Sequence, residues 1–218
     1  MTSKRTVTQV SHPILRLEVI HPAGARSTEH RVFCRYQQRS VAVETCCGCA
    51  HCDSIVAEPA PAVNCSIAMP EASLAPDPLG RRTAVGEVLT HGAVALDPLA
   101  TIRDALLLLR AEDRRSIAIV DASNVVIGVI HEATFASNPR RDARAPRADQ
   151  GVLRLMSGSL AIHEAVPVRR ALELLAAAHL REATVIDDEG VPLGIFRDVD
   201  GLRWIVSARD AAAHDRPT

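Results

Sequence analysis

The chain has 218 residues, which is enough for one domain of ordinary size and a smaller appendage. Its 25 basic and 26 acidic side chains nearly cancel, so it lacks the strong basic excess that is typical of a nucleic-acid-binding surface. Apolar residues make up 47% of the sequence and aromatic residues only 2%. These proportions predict a core of Ala, Val, Leu and Ile in closely packed α/β layers.

Residues 1–27 form an N-terminal extension in which polar and apolar residues alternate. The extension has no continuous apolar stretch of the kind found in signal peptides, and no apolar run elsewhere is long enough to cross a bilayer. We therefore expect a cytoplasmic protein without a membrane partner. Its thiols should then remain reduced.

Cysteines crowd into the first third of the chain, where residues 28–56 are predicted to form a cysteine-rich, metal-binding mini-domain. The six are Cys34, Cys46, Cys47, Cys49, Cys52 and Cys65. Arg31–Arg35 and Ser40–Glu44 have the pattern of a β-hairpin. Such a hairpin would bring Cys34 to the other thiols, and reduced thiols in a cluster indicate metal binding rather than disulfides.

The predicted metal ligands are the thiolates of Cys34, Cys46, Cys49 and Cys52, a set that satisfies tetrahedral Zn²⁺. The Cys-x₂-Cys-x₂-Cys spacing also allows an iron–sulfur cluster, with Cys34 or Cys65 as the remote ligand. A redox-responsive thiol cluster without a cofactor is a third interpretation. Cys47 and His51 are spare candidates for ligation.

The rest of the chain divides by composition. Residues 57–82 are rich in Ala and Pro and predict a linker, in which Cys65 would be a bystander. Two repeats are expected at residues 83–136 and 151–209. A loop at residues 137–150 separates them, and a tail follows at residues 210–218.

The two repeats are visible when the chain is compared with itself at one fixed offset, without a gap. Arg115 then falls on Arg181, Asp121 on Asp187 and Gly128 on Gly194, together with many apolar positions. Each copy predicts a short strand, an amphipathic helix, two further strands and a second helix. The expected fold class is α/β (α+β), with this β-α-β-β-α unit present twice beside the cysteine-rich hairpin.

The repeat resembles the CBS domain, named for cystathionine β-synthase, and the pair resembles a Bateman module. The resemblance rests on the strings at residues 116–121 and 183–190, each followed by a strand with glycine at its centre, at residues 126–130 and 192–196. It implies a pseudo-two-fold pair of sheets packed face to face, which forms a homodimer. It also implies clefts that bind AMP, ATP, S-adenosylmethionine or a similar adenosyl ligand.

The site residues follow from this resemblance. In the family an Asp at the end of a Gly-h-h-Thr/Ser-x-x-Asp string binds the ribose hydroxyls, and the adenine lies among apolar strand residues. The matching residues of repeat two are Asp200, Arg197, Ile162 and Ala183, with Arg197 at the hydroxyl position and able to meet a phosphate. Repeat one has His131 and Thr134 at the string positions, a departure that predicts at most one competent cleft.

The sequence thus predicts a regulatory protein that senses an adenosyl ligand and passes a conformational or dimer change to a protein partner. The alternative is a metal- or redox-sensing cysteine module in which the CBS pair only dimerises. No catalytic constellation is found, so we expect no enzyme activity and no catalytic residues.

Overall fold

The computed structural model describes residues 5–22, 25–70, 77–111, 115–136, 148–156 and 160–214. The strands are β1 (Arg5–Ile20), β2 (Arg26–Cys34), β3 (Arg39–Ala42), β4 (Cys52–Val56), β5 (Ala62–Pro70), β6 (Val94–Leu96), β7 (Ser116–Val120), β8 (Val126–His131), β9 (Ala161–His163), β10 (Glu182–Ile186) and β11 (Pro192–Arg197). The helices are α1 (Val43–Cys47), α2 (Val85–Val88), α3 (Ile102–Ala111), α4 (Glu132–Ala136), α5 (Val168–Ala177) and α6 (Asp198–His214), and Val152–Arg154 forms a 3₁₀ turn.

The long strand β1 joins the N-terminal part of the chain to the first repeat. Its first half, Arg5–Pro13, pairs antiparallel with β5, and its second half, Ile14–Ile20, pairs antiparallel with β2. Glu18–Ile20 also pair in parallel with β6, the first strand of repeat one. The main path through the larger sheet is therefore β3-β2-β1-β6-β7-β8, and the expected N-terminal extension contains a central strand of this sheet.

The segment at residues 57–82 differs from the predicted linker, because Ala62–Pro70 form β5 between β1 and β4. Its prolines do not interrupt the ladder. Pro59 and Pro61 precede the strand, and Pro70 is its last residue. Between them the apolar residues alternate, and Val63 and Ile67 are buried. Residues 71–76 of the predicted linker lie outside the described part of the chain.

The β-hairpin predicted around Cys34 is confirmed. Strands β2 and β3 pair antiparallel from Arg31 opposite Ala42 to Cys34 opposite Arg39. Helix α1 follows β3 directly and carries Cys46 and Cys47. The chain therefore returns past Cys34 before it reaches the cysteine-rich turn.

The repeated β-α-β-β-α unit is also confirmed. Repeat one contains β6-α3-β7-β8-α4, and repeat two contains β9-α5-β10-β11-α6. In both copies the first two strands are parallel and the last two antiparallel. Strands β7 and β10 begin at Ser116 and Glu182, which coincide at the offset found in the sequence. Most of the predicted loop at residues 137–150 lies outside the described residues, and α6 continues to His214, into the predicted tail.

The glycine at the centre of β11 permits a close approach between the repeats. Gly194 forms an isolated bridge with Gly92, and a Cβ on Gly194 would collide with the carbonyl oxygen of His91. Only a residue without a side chain allows the segment before β6 to pack directly on this strand. Glycine is therefore needed here for packing between the two repeats.

Buried hydrogen bonds and an ion pair connect the N-terminal sheet to repeat two. The Glu164 carboxylate, 1% exposed, accepts hydrogen bonds from the backbone N–H of Ser40 at 2.9 Å and from its hydroxyl at 2.5 Å. The Arg31 guanidinium pairs with Asp187 at 3.1 Å. Burial raises the pKa of Glu164 above its ordinary value, Asp187 adds to this rise, and the Ser40 hydrogen bonds and His163 oppose it. The N-terminal sheet is thus held against the second repeat as well as the first.

If β5 is part of the folded sheet, truncating its buried side chain must be costly. We expect Ile67→Ala, at a site that is 3% exposed, to lower the free energy of unfolding by about 2–5 kcal/mol. Ile55→Ala on β4, where the side chain is 39% exposed, is the matched control and should cost much less. Urea unfolding measures both. Equal small losses would mean that residues 62–70 form a linker.

Glu164 also predicts a pH dependence. The pKa of Glu164 is higher in the folded than in the unfolded chain, so the folded state binds more protons at a pH between these two pKa values. The free energy of unfolding therefore falls as the pH rises above about 4.5. Glu164→Gln stays neutral, so its stability relative to the wild-type protein should rise over that window, and the difference should be constant above it. Unfolding followed from about pH 4 to pH 8 tests this. A stability difference that is independent of pH would contradict it.

Candidate nucleotide-binding cleft and thiol cavity

A cleft of about 480 Å³ lies where the two repeats meet. Its walls carry three guanidinium groups against two carboxylates. The lining residues are Arg115, Arg181, Glu182, Arg197, Asp198 and Val199. The excess of positive charge on a concave surface favours an anionic ligand.

The internal symmetry of the chain places these residues together. Arg115 and Arg181 each immediately precede the second strand of their repeat, β7 or β10. Their backbone carbonyls accept equivalent hydrogen bonds, from the N–H of Glu132 at 2.7 Å and from that of Asp198 at 2.9 Å. Each repeat therefore delivers one arginine to the cleft from the same structural position.

A buried carboxylate ties the two repeats together at the base of the cleft. Glu182 is 4% exposed, and its Oε1 accepts a hydrogen bond from the Ser116 hydroxyl at 2.6 Å. Its Oε2 lies 3.7 Å from Nε of Arg197, a buried nitrogen without a hydrogen-bond partner among the described residues. Ser116 and Glu182 are equivalent positions of the two repeats. A polar contact thus joins the first residues of β7 and β10.

Of the predicted nucleotide-binding residues, only Arg197 is among those that line the cleft. Arg197 lines the cleft, and Asp200 lies in the first turn of α6, where its carboxylate is 3.8 Å from Arg203. Ile162 and Ala183, however, are 1% and 2% exposed and belong to the hydrophobic core of repeat two. Their side chains fill that core rather than line the cleft.

In repeat one the corresponding positions are occupied differently. His131 ends β8 and is half-buried; burial lowers its pKa, while the nearby Glu182 acts in the opposite direction. Thr134 lies on α4, at the position that Asp200 holds in repeat two. Neither side chain lines the cleft. The six predicted nucleotide-binding residues remain a prediction.

Sequence reasoning did not select Arg115, Arg181 and Glu182. The signal was present for the two arginines, because they coincide when the repeats are superposed. Glu182 coincides with a serine and gave no such signal. The paired cationic positions of the repeat therefore mark the cleft between the two copies.

A second, small cavity of about 20 Å³ lies in the N-terminal sheet, and we call it the thiol cavity. Five of the six cysteines line it, including all four predicted metal ligands. They are Cys34, Cys46, Cys49, Cys52 and Cys65. Cys65 contributes from β5, directly opposite Cys52 on β4, so the structure does not place it apart as a bystander. Cys47 is exposed and does not line the cavity.

Two histidines also line the thiol cavity. His12, on β1, is 6% exposed, and its Nε2 has no hydrogen-bond partner among the described residues. His51 lies in the cysteine-rich turn, with its ring 4.6 Å from that of Tyr36. Burial, followed by the charge of the neighbouring thiols, raises the pKa of both Cys46 and Cys65 to about 11.

The shared cavity is not a formed metal centre. Within residues 5–214, apart from the gaps in the described chain, no three His, Cys, Asp or Glu side chains are grouped closely enough around one point to hold a metal ion. The structure therefore lends no support to the zinc site or the iron–sulfur cluster predicted from the cysteine spacing. It confirms only that the spacing brings the thiols to one place.

Comparisons with known proteins agree with this fold. The CBS domain family matches residues 85–138, which span α2 and the first repeat to just beyond α4. An AcuB protein from Vibrio cholerae, described as an acetoin utilization protein, is 18% identical, with 62% of this chain and 98% of that chain covered and a TM-score of 0.51. The fold of the two repeats is that of tandem CBS domains, as the sequence predicts.

Two further structures are similar. The cystathionine β-synthase pair domain of a candidate Mg²⁺ transporter from Shewanella oneidensis is 18% identical, covering 58% of this chain and 72% of that chain with a TM-score of 0.50. A CBS domain pair in complex with 5′-methylthioadenosine and S-adenosyl-L-methionine is 19% identical, covering 57% of this chain and 97% of that chain with a TM-score of 0.49. No curated protein sequence matches the chain. Among the described helices, none is both long and apolar enough to cross a membrane.

The contact between the repeats predicts a loss of stability when its donor is removed. We expect Ser116→Ala to lower the free energy of unfolding by about 1.5–3 kcal/mol, because the buried Glu182 carboxylate then loses a hydrogen bond. Ser123→Ala, at an exposed turn position, is the control and should change little. Denaturant unfolding of both variants gives the comparison. Equal effects would show that Ser116 does not stabilise the junction.

Proposed function

We propose that this chain is a regulatory module that binds a phosphate-bearing adenine nucleotide in the cleft between its two CBS repeats. One observation carries the proposal: Arg115, Arg181 and Arg197, drawn from both repeats, converge on a single concave site. Guanidinium groups bind phosphate with paired, charge-assisted hydrogen bonds. The adenosyl part of the ligand follows from the sequence resemblance to CBS pairs.

The charge of the cleft separates the candidate ligands. AMP, ADP and ATP carry negative phosphates, whereas S-adenosylmethionine carries a positive sulfonium group and no phosphate. A cleft with three guanidinium groups and two carboxylates favours the nucleotides. The Arg197 side chain is 30% exposed, so its guanidinium can meet an anionic ligand, whereas its buried Nε faces Glu182 at 3.7 Å.

The regulatory step is a change in the contact between the repeats. Arg197 lies 3.7 Å from Glu182, and Glu182 is held by Ser116 of the other repeat. A phosphate that draws Arg197 toward itself competes with Glu182 for the same guanidinium. Ligand binding then favours the arrangement of the two repeats in which Arg197 contacts the phosphate and not Glu182. Because the ligand binds this arrangement more tightly, it shifts the equilibrium between the two arrangements.

A homodimer through the CBS pair belongs to the same proposal. Val199, Leu202 and Val206 are exposed on α6 at helical spacing, beside the cleft residue Asp198. A second copy that covers this apolar stripe would connect the occupancy of the cleft to assembly. The partner that reads the signal is a protein, and no chemical step on the nucleotide is part of the proposal.

The phosphate contacts can be tested by calorimetry with AMP, ATP, adenosine and S-adenosylmethionine. We expect AMP or ATP to bind most tightly and more weakly at high salt. Arg181→Ala should weaken nucleotide binding by about tenfold or more but leave adenosine unaffected. Arg209→Ala removes an exposed arginine of α6 that does not line the cleft, and it serves as the control. Equal affinity for ATP and adenosine, or loss of the nucleotide on incubation, would contradict the proposal.

The ribose contact has a separate test. Asp200→Ala should weaken AMP binding by about 1.5–3 kcal/mol, since a carboxylate accepts charge-assisted hydrogen bonds from a diol. The wild-type protein should prefer AMP to 2′-deoxy-AMP, and this preference should vanish in the variant. If the variant still discriminates between the two ligands, Asp200 does not bind the ribose.

A further inference from the structure

The thiol cavity is not used by the proposed function, and its walls come from several elements of the N-terminal sheet. His12 is on β1, Cys34 ends β2, Cys46 is on α1, Cys52 begins β4 and Cys65 is on β5. Residues as far apart in the sequence as His12 and Cys65 therefore face one small space. Such convergence of thiols and an imidazole is the chemical setting of a soft-metal site.

The buried imidazole of His12 needs an occupant in this cavity. Its Nε2 is shielded from solvent and has no hydrogen-bond partner among the described residues, which costs free energy in the folded state. A water molecule would require two or more polar partners, and five of the polar groups that line the cavity are thiols, which are weak hydrogen-bonding groups. The other polar side chains that line it are His51, Arg35, which pairs with Glu87, and Tyr36, which is 62% exposed. A metal ion that accepts both nitrogen and sulfur ligands suits the site better.

The volume of the cavity and the hydrogen-bonded backbone of the cysteine-rich turn are consistent with the binding of a single ion. About 20 Å³ holds one water-sized occupant, so it is too small for an iron–sulfur cluster. The cysteine-rich turn is fixed by hydrogen bonds from the N–H of Cys49 to the carbonyl of Cys46 and from that of Cys52 to Cys49, each at 3.1 Å. The His51 N–H also donates to Sγ of Cys49 at 3.4 Å.

We propose that the thiol cavity binds one soft divalent ion of the zinc class, through Nε2 of His12 and three of the five cavity thiolates. Since no three such side chains are yet grouped around one point in the described chain, binding requires the thiols to rotate inward about their χ1 angles. Each thiol that ligates the ion releases its proton to solvent, and no electron is transferred. The ion would cross-link strands that the sheet alone holds in register.

This ligand set differs from the one predicted from sequence, because it includes His12 and admits Cys65. The test uses the full chain, reduced, stripped of metal and titrated with Co²⁺. We expect one Co²⁺ per chain, with the absorption bands of tetrahedral cobalt bound to thiolate, and displacement by Zn²⁺. Serine substitution of a ligating cysteine should weaken binding by more than about 100-fold, and at least three of the five positions should show this loss.

Matched variants separate ligation from damage to the fold. Cys47→Ser, at an exposed cysteine outside the cavity, should bind Co²⁺ as the wild-type protein does. His12→Leu removes an unpartnered nitrogen, so the metal-free variant should be at least as stable as the wild type while its Co²⁺ affinity falls and its spectrum changes.

Three results would overturn the proposal. The first is the absence of saturable Co²⁺ binding by the wild-type chain, and the second is unchanged binding by His12→Leu. The third is a Cys52–Cys65 disulfide in the purified protein in place of a metal ion. In that case the cross-strand pair would be a redox site.

Discussion

The three-sided pairing of β1 is the constraint on which the rest of the structure depends. A strand of 16 residues pairs with β5, β2 and β6 along its length, and in this way one sheet includes both the cysteine-rich segment and the first repeat. Backbone hydrogen bonds between strands leave little freedom to slide, because a shift by a single position would turn every buried side chain outward. The N-terminal segment is therefore a fixed part of the repeat's sheet and not a tethered module.

This attachment connects the N-terminal sheet to both repeats. It shares strands with repeat one, whereas it meets repeat two through the Glu164 carboxylate on Ser40 and the Arg31–Asp187 pair. Buried polar contacts of this kind are sensitive to small displacements, since a separated carboxylate keeps its desolvation cost but loses its hydrogen bonds. A change in the angle between the repeats would lengthen or break these two contacts.

The cleft between the repeats and the thiol cavity differ in charge and in exposure to solvent. The cleft between the repeats is open and lined by arginines, so it is suited to an anion that enters from solvent. The thiol cavity is small and lies within the N-terminal sheet, and burial raises the pKa of its Cys46 and Cys65 thiols to about 11. The proposed ligand of this cavity is a single cation. Both sites take residues from the same sheet, since His12 lies on β1 and Arg115 directly precedes β7.

The repeated unit, its register and the hairpin at Cys34 could be predicted from the amino-acid sequence, because periodic burial and a gapless internal offset are properties of the chain itself. The sequence predicts an extension and a linker where β1 and β5 lie, since neither segment alone reveals which strand it pairs with. Folding in three dimensions was needed to place Arg115 and Arg181 in one cleft and Ile162 in the core. It was also needed to bring Cys65 to the other thiols. The physical reason is the same in each case: these outcomes depend on which distant elements pack together, and packing is settled by the whole sheet rather than by any stretch of sequence.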